Sequence, residues 1–483
     1  MLSLGLAACL ALQASVPQSG TPLPGAGAPG SGFQSAPPVA PGGQGAQGTG
    51  ARPQRIRSIT DLSDEPGLGF AAPMALPPGV GMAVEMSPSF PSKFKVHFVH
   101  TGSGYEESFW VQPAPLATPK PRPLLVFFHA FGKTALDVEQ NTSFELECYQ
   151  RNWHLISCLG ASKKHFSSIE SQINTEVAID WLLNNFGMLI DMRRIYGVGF
   201  SMGGGACLNF AARHLDPERV MFAALANHTG GVALQNTYWS DPPAQWIFEF
   251  WFGGNPFTHP FEFERSSLLN VAPGSTQVLP SNDLARNLTH VPIRSYRALG
   301  DPIFYLVQQT YGLDVHLQSL GATSELVDLN ASIHDWDTID ETEICDWLDQ
   351  HELHVPSKAD TLADRDGIYF HFFVEQDAPG AFTPFTWILT PAQNRVDLIA
   401  TENLKRITVD VHSAGIDPTQ VMKVGTGSAD GLADQVLIPK VPAAPSLVLR
   451  DGQVTTLWNW DPLTHVLSLD EVASGYHLYE IQP

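Results

Sequence analysis

The sequence predicts an α/β fold with a mainly parallel sheet, followed by an all-β domain, and three observations carry that reading. Over roughly residues 90–353 buried strand-like runs alternate with helical periodicities, the pattern of a parallel sheet with helices on both faces. From about Lys358 onward short strand-like runs follow one another across turn residues without intervening helices, as in a β-sandwich. Between the two halves of the alternation lies Gly199-Phe200-Ser201-Met202-Gly203, a serine flanked by glycines where a strand runs into a helix.

The chain of 483 residues has room for about three average domains. Its formal charge of −22 argues against nucleic acid or an anionic membrane surface as a partner. Residues 1–15 carry a short apolar run that reads as an export signal, and Leu6-Ala7-Ala8-Cys9 is similar to a bacterial lipobox, which would tether the chain to a membrane through a lipidated Cys9. Residues 16–75, rich in Pro, Gly and Ala, cannot bury enough apolar surface to order themselves and read as a flexible linker. The expected location is therefore secreted, periplasmic or at the cell surface. Cys148, Cys158, Cys207 and Cys345 show no metal spacing, and Cys207 reads as a small buried hydrophobe.

The catalytic unit is expected over residues 76–355. Phe94, Val96 and Phe98 alternate in a first strand, with Tyr105 to Val111 as its partner across a Gly-containing turn. Pro123 to Phe128 is a continuous apolar run ending at His129, as expected of a central parallel strand. One helix is expected over about Ala135 to Arg151, then a strand at Trp153 to Leu159. Ile169, Ile173, Val177 and Trp181 mark the buried face of a long helix leading to the strand before Ser201. A further strand is expected at Met221 to Ala226. Residues 229–290 leave the alternation and are crowded with aromatic residues, which marks a cap insertion whose rings form its own core, with one or two lining an apolar pocket. The alternation resumes with a strand from Val291 to Leu299, a helix from Phe304, a strand at Glu325 to Leu329 and a closing helix at Thr342 to Leu353. A polar linker is expected from about Pro356 to Gly367, and residues 358–483 as a separable β-sandwich.

Gly-x-Ser-x-Gly at a strand-to-helix turn is the nucleophile-elbow pattern: the serine sits in strained backbone at a helix N-terminus, so its flanks must be nearly side-chain-free. Such a serine needs a base and a group that orients the base. Asp301 follows the strand 293–299, and His334 lies in the loop after the next strand. Both therefore fall at C-terminal strand ends, where ligands gather in parallel sheets. Asp335 and Asp337 are rivals for the acid but read as capping residues. An oxyanion would be held by the N–H of Met202 and that of Phe131, with Ala130 as the alternative donor. His129 reads as a brace for that loop.

His129-x-x-Gly132, the stretch Arg194 to Gly204, Asp301 and His334 together resemble the α/β-hydrolase superfamily, and the wording around Ser201 is similar to secreted polyhydroxybutyrate depolymerases and feruloyl esterases. The resemblance covers roughly residues 90–353. It implies an exported serine hydrolase that cleaves carboxylic esters, small or polymeric, through an acyl-enzyme, with no metal or organic cofactor. A prolyl-oligopeptidase-like peptidase and a non-enzymatic, surface-tethered binding protein with a vestigial hydrolase fold are the competing readings.

Overall fold

The computed structural model describes residues 82–86, 93–99, 104–115, 120–271, 277–279, 283–432, 434–470 and 475–483. The chain divides into two units, residues 1–54 and 55–483, and every described residue belongs to the second. The expected export signal, Cys9 and the whole of the linker expected over residues 16–75 lie outside the described residues.

The strands β1 (Met82–Met86), β2 (Phe94–Val99), β3 (Glu106–Gln112), β4 (Arg122–Phe128), β5 (His154–Cys158), β6 (Ile190–Phe200), β7 (Ala224–His228), β8 (Ile293–Ala298) and β9 (Ser324–Leu329) form one sheet in the order β1-β2-β3-β5-β4-β6-β7-β8-β9. The first three strands pair antiparallel, and β5 through β9 run parallel to one another. In β4, Leu124, Val126 and Phe128 enter one core while Leu125 and Phe127 enter the other. Alternation by two thus feeds both faces of a sheet that is buried on both sides, which is why the strand reads as an unbroken apolar run.

The connecting helices are α1 (Asp137–Asn141), α2 (Phe144–Arg151), α3 (Ile169–Phe186) and α4 (Met202–Arg213). Two departures from the sequence reading have local causes. The single helix expected over 135–151 breaks at Thr142, which is extended, and its hydroxyl donates back to the Val138 carbonyl at 2.5 Å. Strand β7 begins at Ala224 rather than Met221, because Met221 packs with Leu215 into the core of the C-terminal sheets. Its apolarity belongs to that contact and not to the strand.

After β7 come α5 (Leu234–Ser240), α6 (Gln245–Phe252) and α7 (Pro260–Arg265), then α8 (Phe304–Ser319) and α9 (Glu341–Leu348). Tyr238, Phe248, Phe252 and Phe263 of α5 to α7 pack ring against ring, with centroids 4.7–6.1 Å apart. Phe166 and Met202 join the same cluster, which ties the insert to the turn around Ser201. Among the described residues no helix is long and apolar enough to cross a membrane. The four cysteines from Cys148 onward are buried and unbridged.

The C-terminal part consists of β10 (Lys358–Ala363), β11 (Gly367–Tyr369), β12 (Phe372–Gln376), β13 (Thr383–Thr390), β14 (Arg395–Thr401), β15 (Leu404–Val409), β16 (Met422–Ser428), β17 (Gln435–Ile438), β18 (Leu447–Arg450), β19 (Gln453–Val454), β20 (Trp458–Asp461), β21 (Val466–Asp470) and β22 (Gly475–Gln482). They form sheets in the orders β10-β13-β14-β16-β22-β18-β19 and β11-β12-β15-β17-β21-β20, which contribute to one hydrophobic core. The polar linker expected over 356–367 is instead largely strand β10 and the start of β11. The polar residue Asp364 between them is buried: its Oδ2 accepts from Arg213 of α4 (Nη2, 2.7 Å) and from Arg265 of α7 (Nη2, 2.8 Å). Asn287 adds a second tie, donating to the carbonyls of Ala212 and Leu362 and accepting the Leu362 N–H. A charge that looked like solvated linker is a buried pin between the two parts.

Candidate active site

The turn from β6 into α4 places Ser201 at φ 57° and ψ −123°, a conformation that side-chain-bearing residues rarely adopt. A Cβ at Gly199 would lie 2.2 Å from the Gly203 carbonyl oxygen, and one at Gly203 would lie 2.2 Å from that of Phe128. The two flanking glycines are therefore required by close backbone approach rather than by their own dihedrals. The Ser201 N–H donates to the His228 carbonyl at 2.9 Å, which pins the elbow to the end of β7.

Ser201, Asp301 and His334 are brought together from three parts of the chain. His334 Nε2 lies 2.8 Å from Ser201 Oγ, and His334 Nδ1 lies 2.6 Å from Asp301 Oδ2. The carboxylate receives the Nδ1–H, which leaves Nε2 as the acceptor for the serine proton. Asp301 is 3% exposed, and its other oxygen accepts the Ile303 N–H at 2.8 Å, so the carboxylate is held on both sides. Asp335 accepts the Asp337 N–H as the cap of a short 3-10 turn.

Two of the three candidate oxyanion donors can be separated from the third. The Ala130 N–H is taken by Asp137 Oδ2 at 2.8 Å. No hydrogen bond to another described residue engages the N–H of Phe131 or that of Met202. His129 braces the loop, its ring nitrogens 2.8 Å from the carbonyls of Ala130 and Leu159. Gly132, at φ 77°, turns the loop, and its N–H donates to Lys163 O at 2.7 Å.

Sequence reasoning missed two supporting residues. The imidazole of His228 stacks on Phe200 at 4.7 Å, and Phe200 in turn faces the His334 ring at 4.4 Å. His228 Nε2 lies 3.1 Å from the Asp335 carbonyl and 2.8 Å from Thr338 Oγ1, so it holds the loop that carries His334. Burial lowers the pKa of this imidazole to about 4, which keeps it neutral near pH 7. The other is Glu107, fully buried on β3. Its Oε1 accepts the N–H groups of Leu159 and Gly160 at 2.8 and 3.1 Å, and its Oε2 that of Ala161 at 2.9 Å. It fixes the start of the loop 159–168, in which Ala161, Phe166 and Ser167 all have positive φ. Desolvation pushes the Glu107 pKa up and the three donors pull it back, leaving it at about 7. Glu107 shares the inward face of β3 with Phe109 and Val111, so period-two alternation alone would have marked it as a buried carboxylate. His228 gave no such signal, since its partners come from β8 and from the loop after β9.

Among the described residues no three His, Cys, Asp or Glu side chains are grouped to hold a metal ion.

No protein-family model matches the chain, and no curated protein matches it. Solved structures do. An S-formylglutathione hydrolase from Agrobacterium tumefaciens is 14% identical over 53% of this chain and 94% of its own, with a TM-score of 0.40. One from Staphylococcus aureus is 15% identical over 57% of this chain and 99% of its own, with a TM-score of 0.37. The chain spans only 35% of the length of an acylaminoacyl peptidase from Pyrococcus horikoshii, at 16% identity and a TM-score of 0.37. Likeness this distant carries no weight for activity. The molecule's own geometry does: the nine-stranded mixed sheet, the serine turn between β6 and α4 and the chain order Ser201, Asp301, His334 fit an α/β-hydrolase.

Proposed function

We propose that the chain is a serine hydrolase of carboxylic esters working through an acyl-enzyme. The observation that carries this reading is the continuous relay from Ser201 Oγ through His334 to Asp301, with the N–H groups of Met202 and Phe131 engaged by no other described residue. Ser201 Oγ attacks the ester carbonyl while its proton passes to His334 Nε2. Negative charge develops on the carbonyl oxygen and is received by the N–H groups of Met202 and Phe131, the first of them at the N-terminus of α4. Collapse breaks the bond to the leaving alcohol, which takes the proton from His334. Water then attacks the acyl carbonyl and gives a proton to His334 Nε2; collapse breaks the bond to Ser201 Oγ, which takes that proton back as the acid is released.

In this reading the helices α5 to α7 are an aromatic cap beside the acyl site, and the two C-terminal sheets are an accessory β-sandwich. Polymer cleavage of the polyhydroxybutyrate depolymerase or feruloyl esterase kind, export and lipid tethering at Cys9 are further parts of the proposal, supported by the wording around Ser201 and by residues 1–15.

The deciding experiment is labelling with a fluorophosphonate, run beside a panel of nitrophenyl esters and matched anilides. Labelling of the full chain that disappears in Ser201→Ala, with ester turnover and little anilide turnover, is the expected result. Absence of labelling at Ser201 in folded protein overturns the reading.

A further inference from the structure

In a chain of net charge −22, three of the ten lysines stand on the two loops that flank the proposed oxyanion site: Lys133, Lys163 and Lys164. None of the three makes an ion pair with a described carboxylate, whereas Lys93 pairs with both Glu139 and Glu145. Lys164 is the most constrained. Its Nζ lies 5.3 Å from the ring centroid of Phe131 and 5.6 Å from that of Trp246, so two aromatic rings hold the ammonium without neutralising it.

The position of this cation is built. Glu107 grips the start of its loop through three N–H groups. Trp251 Nε1 donates to the Lys164 carbonyl at 2.7 Å, and the Gly132 N–H donates to that of Lys163 at 2.7 Å, locking the lysine loop to the oxyanion loop. The same loop reaches the nucleophile through Phe166, whose ring lies 5.4 Å from that of Phe131 and whose N–H points at Met202 Sδ at 3.5 Å. Phe131 and Trp246 are 39% and 62% exposed, so the ammonium lies between exposed rings and is open to a ligand.

We infer that this lysine site beside the oxyanion loop selects esters carrying an anionic group, in the simplest case a free carboxylate, which Lys164 receives while the ester carbonyl lies at Ser201. The inference rests on the ester-hydrolase reading above and adds the substrate class. A neutral ester gains nothing from an uncompensated ammonium, whereas a carboxylate gains both its charge and two aromatic walls against which its carbon chain can lie.

The test compares kcat/KM of the full chain for mono-4-nitrophenyl adipate against 4-nitrophenyl hexanoate, and for a carboxyphenyl butyrate against phenyl butyrate. The first pair puts the charge on the acyl side and the second on the alcohol side. In at least one pair the anionic member should be preferred at low ionic strength, and the preference should shrink in about 0.5 M salt, where exposed charges are screened. Lys164→Met should cut that ratio about threefold to fivefold, and replacing all three lysines by Met about tenfold. Lys164→Arg should keep it. A ratio at or below one in both pairs overturns the inference, as does a preference that Lys164→Met leaves unchanged. If neither neutral ester is turned over and Ser201 does not label, the ester-hydrolase reading itself has failed and the inference falls with it.

Discussion

His228 holds Ser201 by its backbone and the base loop by its side chain. Its carbonyl accepts the Ser201 N–H at 2.9 Å, and its Nε2 reaches the Asp335 carbonyl, one residue beyond His334, at 3.1 Å. The spacing between Ser201 and His334 is thus set by a residue whose side chain bonds to neither. Replacing His228 by Phe preserves a ring against Phe200 but removes the bonds to Asp335 and Thr338. Because small misplacements of a base are costly, kcat should fall about tenfold to a hundredfold with KM little changed. The pH at which kcat/KM rises should move with it, and His228→Gln, which can still donate to Asp335, should recover part of the loss. A variant with unaltered kcat and pH profile would show that His228 is only packing.

Ser201→Ala and His334→Ala should each abolish nearly all ester turnover in protein that still folds, since members of one relay fail together. Asp301→Asn should cost several orders of magnitude, because the amide cannot hold the same histidine tautomer. Asp337→Asn should be nearly silent. The reverse outcome for the two aspartates would reassign the acid.

Glu107 makes a pH prediction. Its folded pKa of about 7 lies above the ordinary 4.5, so the folded protein binds the extra proton between those values. Its contribution to stability is complete below about pH 4.5 and is lost as pH rises through about 7, on the order of 3 kcal/mol in all. Thermal unfolding of the parent chain and of Glu107→Gln at pH 5 and pH 8 measures this. The parent should lose more stability than the variant between the two conditions, and an equal loss in both would rule the effect out.

Asp364 bears on whether the C-terminal sheets can be removed. The sequence reading expects residues 358–483 to be separable, so that a chain ending near Leu353 would stand alone. The junction points the other way, since such a truncation takes Asp364 from Arg213 and Arg265 and uncovers Leu215 and Met221, which pack into the core of the C-terminal sheets. The two arginines hold the Asp364 carboxyl well below the usual carboxylate range, so this contribution is present above about pH 4 and lost only in stronger acid. Asp364→Ala should destabilise by about 3–5 kcal/mol, the cost of stranding a buried charge. The truncated chain should unfold at markedly lower denaturant than the full one. A truncated protein as stable as the catalytic part of the parent would show that the junction is dispensable.

Local pattern was enough to find the strand β4, the long helix α3, the elbow at Ser201 and the two strand ends beside which Asp301 and His334 stand. Each is set by short-range physics: an apolar run buried on both faces, a four-residue periodicity, glycines where backbones nearly touch, and the order in which strands follow one another. Tertiary structure alone decided the rest. Asp137 and Ala130 are seven residues apart, yet only the folded loop shows that their bond removes Ala130 as an oxyanion donor. Met221 is apolar in any register, and only docking of the C-terminal sheets shows which core claims it. Asp364 reads as solvated until Arg213 and Arg265, 151 and 99 residues away, close on it. His228 gains its place from partners on β8 and in the base loop, 68 and 107 residues further on. A polar side chain's role depends on which donors and charges surround it after burial. Periodicity can show that such a residue points inward, but not what waits there.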